Sequence, residues 1–149
     1  MLIAALLAIV LASGLGTASY SLFAETPISE KPGSVLVLDV YTQKGGQGPN
    51  IQGGSFMLNE SVSLYGEIQD QLNKTGPVNK LISFEVKANH GETLSFVLVR
   101  STNASSIATA VFRIPPDESF VGIWEIYARA EYNGTVLLDT LTSRCSKQG

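Results

Sequence analysis

The sequence is poor in the side chains that do chemistry. His90 is its only histidine and Cys145 its only cysteine. A Ser-His-Asp nucleophile would hang on that one imidazole, which stands between Asn89 and Gly91 in what reads as a solvated turn. Cages of histidine or cysteine around a metal cannot be built from one of each. No disulfide can close within the chain, so Cys145, in the C-terminal tail, is expected to be an inert thiol or to bond another chain or a lipid. Asp117 and Glu118, with Asp70 or Asn50 from other loops, could offer oxygen ligands to calcium, but their spacing matches no regular calcium loop. Gly45-Gly46-Gln47-Gly48 lacks the Gly-Lys-Ser/Thr ending of a phosphate loop and reads as a flexible loop over a sheet edge. Glu85, Glu125 and Glu131 fit the polar outer face of strands. Neither an enzyme nor a cofactor is expected, with calcium the one cofactor left open.

One motif recurs. Four of the seven asparagines stand in Asn-x-Ser/Thr sequons, at Asn59, Asn73, Asn103 and Asn133. With 26 Ser and Thr in 149 residues, composition alone predicts roughly one. Such sequons mark accessible surface in exported proteins and are candidate glycosylation sites; turn-forming asparagine beside Ser or Thr is the plainer explanation.

The N-terminus points the same way. Residues 1–24 hold no Lys, Arg, Asp or Glu, so every formal charge of the net −3 lies beyond them. Leu2 to Ala12 is an apolar run followed by small residues, with Gly16 and Ala18 suited to the −3 and −1 positions of a signal cleavage site. Read on to Phe23, the segment is long enough to cross ~30 Å of hydrocarbon as a helix. A cleaved signal peptide and a retained anchor both remain open, and each places the remainder outside the cell. The ten Lys and Arg are scattered singly from Lys31 to Lys147, without the clustered excess that nucleic acid demands.

Positioning falls to strands. After a linker over residues 25–34, Val35–Thr42 is dense in β-branched residues. Val62, Leu64 and Ile68 then alternate with polar positions, as do Ile82, Phe84 and Val86. Leu94, Phe96 and Leu98 follow, and after them Ala108, Ala110, Phe112 and Ile114. Trp124, Ile126, Ala128, Ala130 and Tyr132 continue the alternation, and Val136–Thr142 gives a seventh strand. Asn133-Gly134 between the last two is a hairpin signal, because both residues tolerate positive φ. Seven short strands in roughly 110 residues is the arithmetic of an Ig-like fold. The expectation is an all-β, seven-stranded antiparallel Ig-like β-sandwich over residues 35–143. It would follow an apolar N-terminal helix in residues 1–24 and precede a tail, 144–149. Phe84, Phe112 and Trp124 are its expected core.

Several motifs carry a resemblance. Val40-Tyr41-Thr42, Lys44-Gly45-Gly46, Gly48-Pro49-Asn50 and Gly53-Gly54-Ser55-Phe56 open the body. Glu60 to Tyr65, Pro77 to Val86, Phe112-Arg113-Ile114-Pro115, Gly122-Ile123-Trp124 and Asp139-Thr140-Leu141-Thr142 follow. The order resembles the macroglobulin-type Ig-like domains of prokaryotic, especially archaeal, cell-surface proteins, and more loosely bacterial invasin-type Ig-like repeats. Where such domains carry a glycine before a strand, this chain has Ser106-Ile107. The large protease-trapping macroglobulins use a bait region and a Cys-Gly-Glu-Gln thioester; this chain has no such motif, and that activity is not carried over.

The resemblance implies a structural or adhesive surface module, with other surface proteins or further copies of itself as partners and the membrane reached through an uncleaved N-terminus. The alternatives are a secreted binder of a small ligand, ion or protease, and a pilus-like filament subunit. The last lacks the basic-residue-plus-Gly processing site before the apolar run.

Overall fold

The computed structural model describes Gly33, residues 35–88 and residues 93–147, with the side chains of residues 93–95 left aside. The apolar N-terminal segment, most of the linker and His90 lie outside the described residues. Eight strands follow in order: β1 (Leu36–Thr42), β2 (Ser55–Met57), β3 (Ser61–Asp70), β4 (Leu81–Ala88), β5 (Thr93–Ser101), β6 (Ile107–Arg113), β7 (Gly122–Tyr132) and β8 (Thr135–Ser146). A 3-10 turn, Glu118–Phe120, is capped by Asp117, whose carboxylate accepts from the Ser119 N–H.

The fold is all-β, in two sheets. One has the order β1-β3-β6 and the other β2-β8-β7-β4-β5. Every pairing is antiparallel except that of β2 with β8, which is parallel. Two expectations change here. The described residues hold eight strands rather than seven, because Ser55–Met57 forms a three-residue strand too short to show alternation. The last strand also runs past residue 143, through most of the segment read as a tail, since β7 pairs with it as far as Cys145 and β2 as far as Ser146.

Period-two alternation builds the core. On β3, β4 and β7 every second residue is buried, so each strand turns one apolar row inward. Leu64, Ile68, Ile82, Phe84, Val86 and Ile126 are fully covered, and both sheets contribute to the same cluster. Small residues face large ones. Gly66 pairs with Val40 on one side and Ala108 on the other, and a Cβ at Gly66 would stand 2.9 Å from the Phe84 ring. Toward the other end, Phe112 and Trp124 stack with centroids 5.9 Å apart and planes 9° off parallel, with Phe96 and Phe120 against them. The indole N–H of Trp124 donates to the Phe120 carbonyl at 2.7 Å, so its polar edge is not left unpaired in the core.

The ends of this two-sheet body are distinct. The chain enters β1 beside the β3–β4 loop, since Leu36 pairs with Asp70 and Gln71 N–H donates to the Val35 carbonyl. The β5–β6 loop and the β7–β8 turn lie at this same entry end: Ile68 N–H donates to Ser106 O, and Leu36 lines a hollow with Asn133 and Thr135. The β2–β3 turn and the 3-10 turn occupy the far end, and the loop from β1 to β2 leaves β1 there and folds back over its outer face.

Candidate functional site

A hollow of about 370 Å³ lies over the outer face of β1 and β3 and under the loop at Gln47–Pro49. Its floor is set by strand register. Asp39 stands directly opposite Glu67, and Val37 opposite Gln69. Gly48 N–H reaches both carboxylate oxygens of Asp39, at 3.2 and 3.1 Å. Asp139 of β8 closes one side, where its Oδ2 accepts from the Val40 N–H at 2.7 Å. Three acids and three glutamines line the hollow, with no Lys or Arg, so it offers acceptors to a ligand rich in hydrogen-bond donors. Burial raises the Asp39 pKa above its ordinary value; the Gly48 bond opposes this and the Asp139 charge adds to it. Yet both Asp39 and Asp139 are committed to backbone N–H groups, which is the chemistry of holding strands and loops in place. Among the described residues, no three His, Cys, Asp or Glu side chains come together as a metal cluster would require.

The calcium candidates are spread apart rather than gathered. Asp70 ends β3 at the entry end, where Oδ1 accepts from Leu72 N–H and Asn73 N–H. Asp117 follows β6 at the far end and caps the 3-10 turn, and Asn50 is an exposed loop residue with φ 61°. The length of β3, about 30 Å for its ten residues, separates Asp70 from the other end. As a set they cannot share one ion.

Gly45–Gly48 is laid down closely rather than loosely. A Cβ at Gly46 would come within 2.5 Å of Leu141. The segment after it is bonded along β8 through Gly53 N–H to Thr142 O, Arg144 N–H to Gly54 O and Ser143 Oγ to Gly54 O. Thr42 Oγ1 adds a donation to Gly53 O. Cys145 is likewise inside, 2% exposed on β8 between Phe56 of β2 and Gly122 of β7, and burial pushes its thiol pKa up. A lipid or a second chain could reach its sulfur only if this end of β8 opened. Phe84, Phe112 and Trp124 are buried at 0%, 8% and 3% exposure.

Glu85, Glu125 and Glu131 face outward on the five-stranded sheet, where register lays side chains in rows. Val97, Glu85, Tyr127 and Thr140 form one row, and Val99, Ser83, Arg129 and Leu138 the next. Lys87 ties the first together, 3.3 Å from the Glu85 carboxylate and over the Tyr127 ring, while Tyr127 donates to Glu125. This mixed face was not singled out from the sequence, although its signal, apolar residues in register on the polar side of β5 and β8, is present in Val97, Val99 and Leu138.

All four sequon asparagines are exposed and lie in turns. Asn73, Asn103 and Asn133 are at the entry end; Asn59 sits in the β2–β3 turn at the far end.

No family model matches the chain, and no curated protein does. Solved structures to which the chain is similar include an engineered protein (12% identity, TM-score 0.45, 76% of this chain and 20% of that one). Another is the endo-beta-1,4-mannanase from Thermotoga petrophila (14%, 0.46, 80% and 22%). A third is a CARDB domain from Pyrococcus furiosus, solved in complex with di-metal ions (14%, 0.42, 76% and 89%). The chain spans about a fifth of the length of the first two.

Proposed function

We propose that the body from β1 to β8 is an Ig-like β-sandwich displayed outside the cell, and that it works by contact, as a structural or adhesive module without turnover. The observation that carries this reading is the strand order. A three-stranded sheet β1-β3-β6 faces a five-stranded sheet whose first strand, β2, continues β1 after crossing over to pair in parallel with β8. Strands exchanged between two facing sheets in this way, with the last hairpin at the centre of the larger sheet, fit Ig-like sandwiches. The resemblance of the chain's motifs to those of macroglobulin-type cell-surface domains supports it, and the apolar N-terminus with four sequons supports export.

Contact has a place to occur. β5 ends its sheet, so one side of its ladder carries no strand among the described residues, and Val97 and Val99 stand 59% and 48% exposed on it. A strand edge of this kind invites pairing with another chain. Neighbouring surface proteins and further copies of the chain are both within this reading.

A second reading, a secreted binder of a small donor-rich ligand, draws on the acceptor-lined hollow at Asp39. Fractionation separates the readings. A displayed module travels with membranes and is shaved from intact cells by added protease, a secreted binder appears in the medium, and a filament subunit appears in sheared high-mass material. Full-length chain confined to the cytoplasm would overturn the proposal.

A further inference from the structure

We infer that Asn73, Asn103 and Asn133 carry N-linked oligosaccharides, forming a collar around the end at which the chain enters β1, while Asn59 stays bare. The inference rests on the export reading above and goes beyond it by selecting among the sequons on structural grounds.

Three features mark the collar sites as presentable. First, Asn73 and Asn103 lie wholly outside strands together with both residues that follow them, and all six are exposed. Second, their carboxamide oxygens are already engaged. Asn73 Oδ1 accepts from Thr75 N–H at 2.9 Å and Thr75 Oγ1 at 2.6 Å, and Asn103 Oδ1 accepts from Ser105 N–H at 2.9 Å and Ile107 N–H at 3.1 Å. With the oxygen fixed toward the turn, Nδ2 points the opposite way, and replacing one of its hydrogens by a sugar leaves each of these bonds in place. Third, Asn133 and Gly134 have φ of 49° and 76°, the pair of positive values of a type I′ hairpin turn. A Cβ built on Gly134 meets nothing within 4 Å, so the tip of the turn is uncrowded.

Asn59 differs at the residue a transferase must also read. Thr135, two after Asn133, also opens a strand, but beside a hairpin turn where β8 has β7 alone as neighbour among the described residues, since β2 pairs with it only from Arg144 onward. Ser61, two after Asn59, opens β3, the middle strand of its sheet, where it pairs with Arg113 and its carbonyl accepts from the Gln43 carboxamide. The Asn59 N–H is bonded to Ile114 O, and its Oδ1 accepts from the Arg113 guanidinium. Presenting that tripeptide to an enzyme means peeling back the start of β3.

The step itself is a group transfer from a lipid-phosphate-linked oligosaccharide. The Nδ2–C1 bond forms, the C1–O bond to phosphate breaks, the lipid phosphate leaves, and the displaced amide proton goes to a base of the transferase. Three glycans at one end would hold that end away from neighbours and leave the sheet faces and the far end open.

The test uses the full chain, produced in a host with a membrane oligosaccharyltransferase and recovered by protease shaving of intact cells. Glycopeptide mass spectrometry is expected to find sugar on Asn73, Asn103 and Asn133 only. Asn73→Gln, Asn103→Gln and Asn133→Gln should each remove one increment, and Asn59→Gln none, with unchanged melting confirming that each variant folds. Shaved protein bare at the three collar sites overturns the inference and leaves the export reading standing. Equal occupancy of Asn59 also overturns it, since the fold would then not select. Protein that cannot be shaved because it never leaves the cell sinks both.

Discussion

The Val40 N–H donates to Asp139 Oδ2 across the two sheets, 2.7 Å from nitrogen to oxygen. Val40 is 1% exposed and lies on the outer strand of the smaller sheet. Its N–H therefore has neither strand nor water to bond on that side, and the carboxylate from β8 takes the place of a missing ladder partner. Asp139→Ala is expected to cost about 1–3 kcal/mol, the penalty for a buried donor left unpaired. Asp139→Asn keeps an acceptor oxygen and should lose less. Denaturant melts that find the alanine variant within ~0.3 kcal/mol of the parent would show that the bond does not join the sheets.

Gly66 predicts an effect of the opposite geometry, too much matter rather than too little. The Phe84 ring fills the space a side chain would need, so Gly66→Val should destabilise by about 1–3 kcal/mol through overpacking. Pairing it with Phe84→Leu, which frees room at the same spot, is expected to cost less than the two single losses added together. Strict additivity would place the ring and the glycine out of contact.

Trp124 joins the far end of the core to the 3-10 turn. Trp124→Ala should cost ~3–5 kcal/mol. Trp124→Phe retains a ring against Phe112 but strands the Phe120 carbonyl, for about 1–2 kcal/mol. A loss below ~1 kcal/mol for alanine, read from denaturant melts, would contradict the packing described.

Alternation made the long strands legible. Ile82, Phe84 and Val86 sit inward because every second residue of an eight-residue run is apolar, and no tertiary information is needed to see it. Asn133-Gly134 was legible for a similar reason, since the turn needs two positive φ values and these residues tolerate them. What escaped the sequence depends on partners distant along the chain. β2 exists only because β8 passes beside it, and three residues are too few to show a period. Asp39 was not singled out: it is one acid in an apolar strand, and nothing local says that Gly48 will bond it or that Asp139 will approach. Cys145 looked like a tail residue because the pairings that draw it into β8 come from Phe56 and Gly122, both distant along the chain.

Ser106 is buried with φ 63°, in the left-handed region. A side chain there is strained by about 1–2 kcal/mol, part of which glycine returns as extra freedom of the unfolded chain. Ser106→Gly should therefore raise stability by about 0.5–1 kcal/mol, and Ser106→Val should lower it by more than that. A glycine variant less stable than the parent would mean that the serine contributes a contact worth more than the strain.

Asp39 sets the pH dependence that can be tested most cleanly. Burial, helped by the Asp139 charge and opposed by the Gly48 bond, holds its folded pKa above the ordinary 3.8. The unfolded chain thus loses this proton at lower pH than the folded one, and ionisation of Asp39 favours unfolding. Its contribution is unfavourable at neutral pH, shrinks as pH falls through the folded pKa, and is gone below 3.8. Asp39→Asn keeps an oxygen for Gly48 and removes the charge, so it should be more stable than the parent at pH 7. The gap should narrow on acidification and close below about pH 4. Paired melts from pH 3 to 8 read this as a difference in which the other titrating groups largely cancel. A variant weaker than the parent at pH 7 would mean that the Gly48 bond needs the full carboxylate charge, and that the bond outweighs burial.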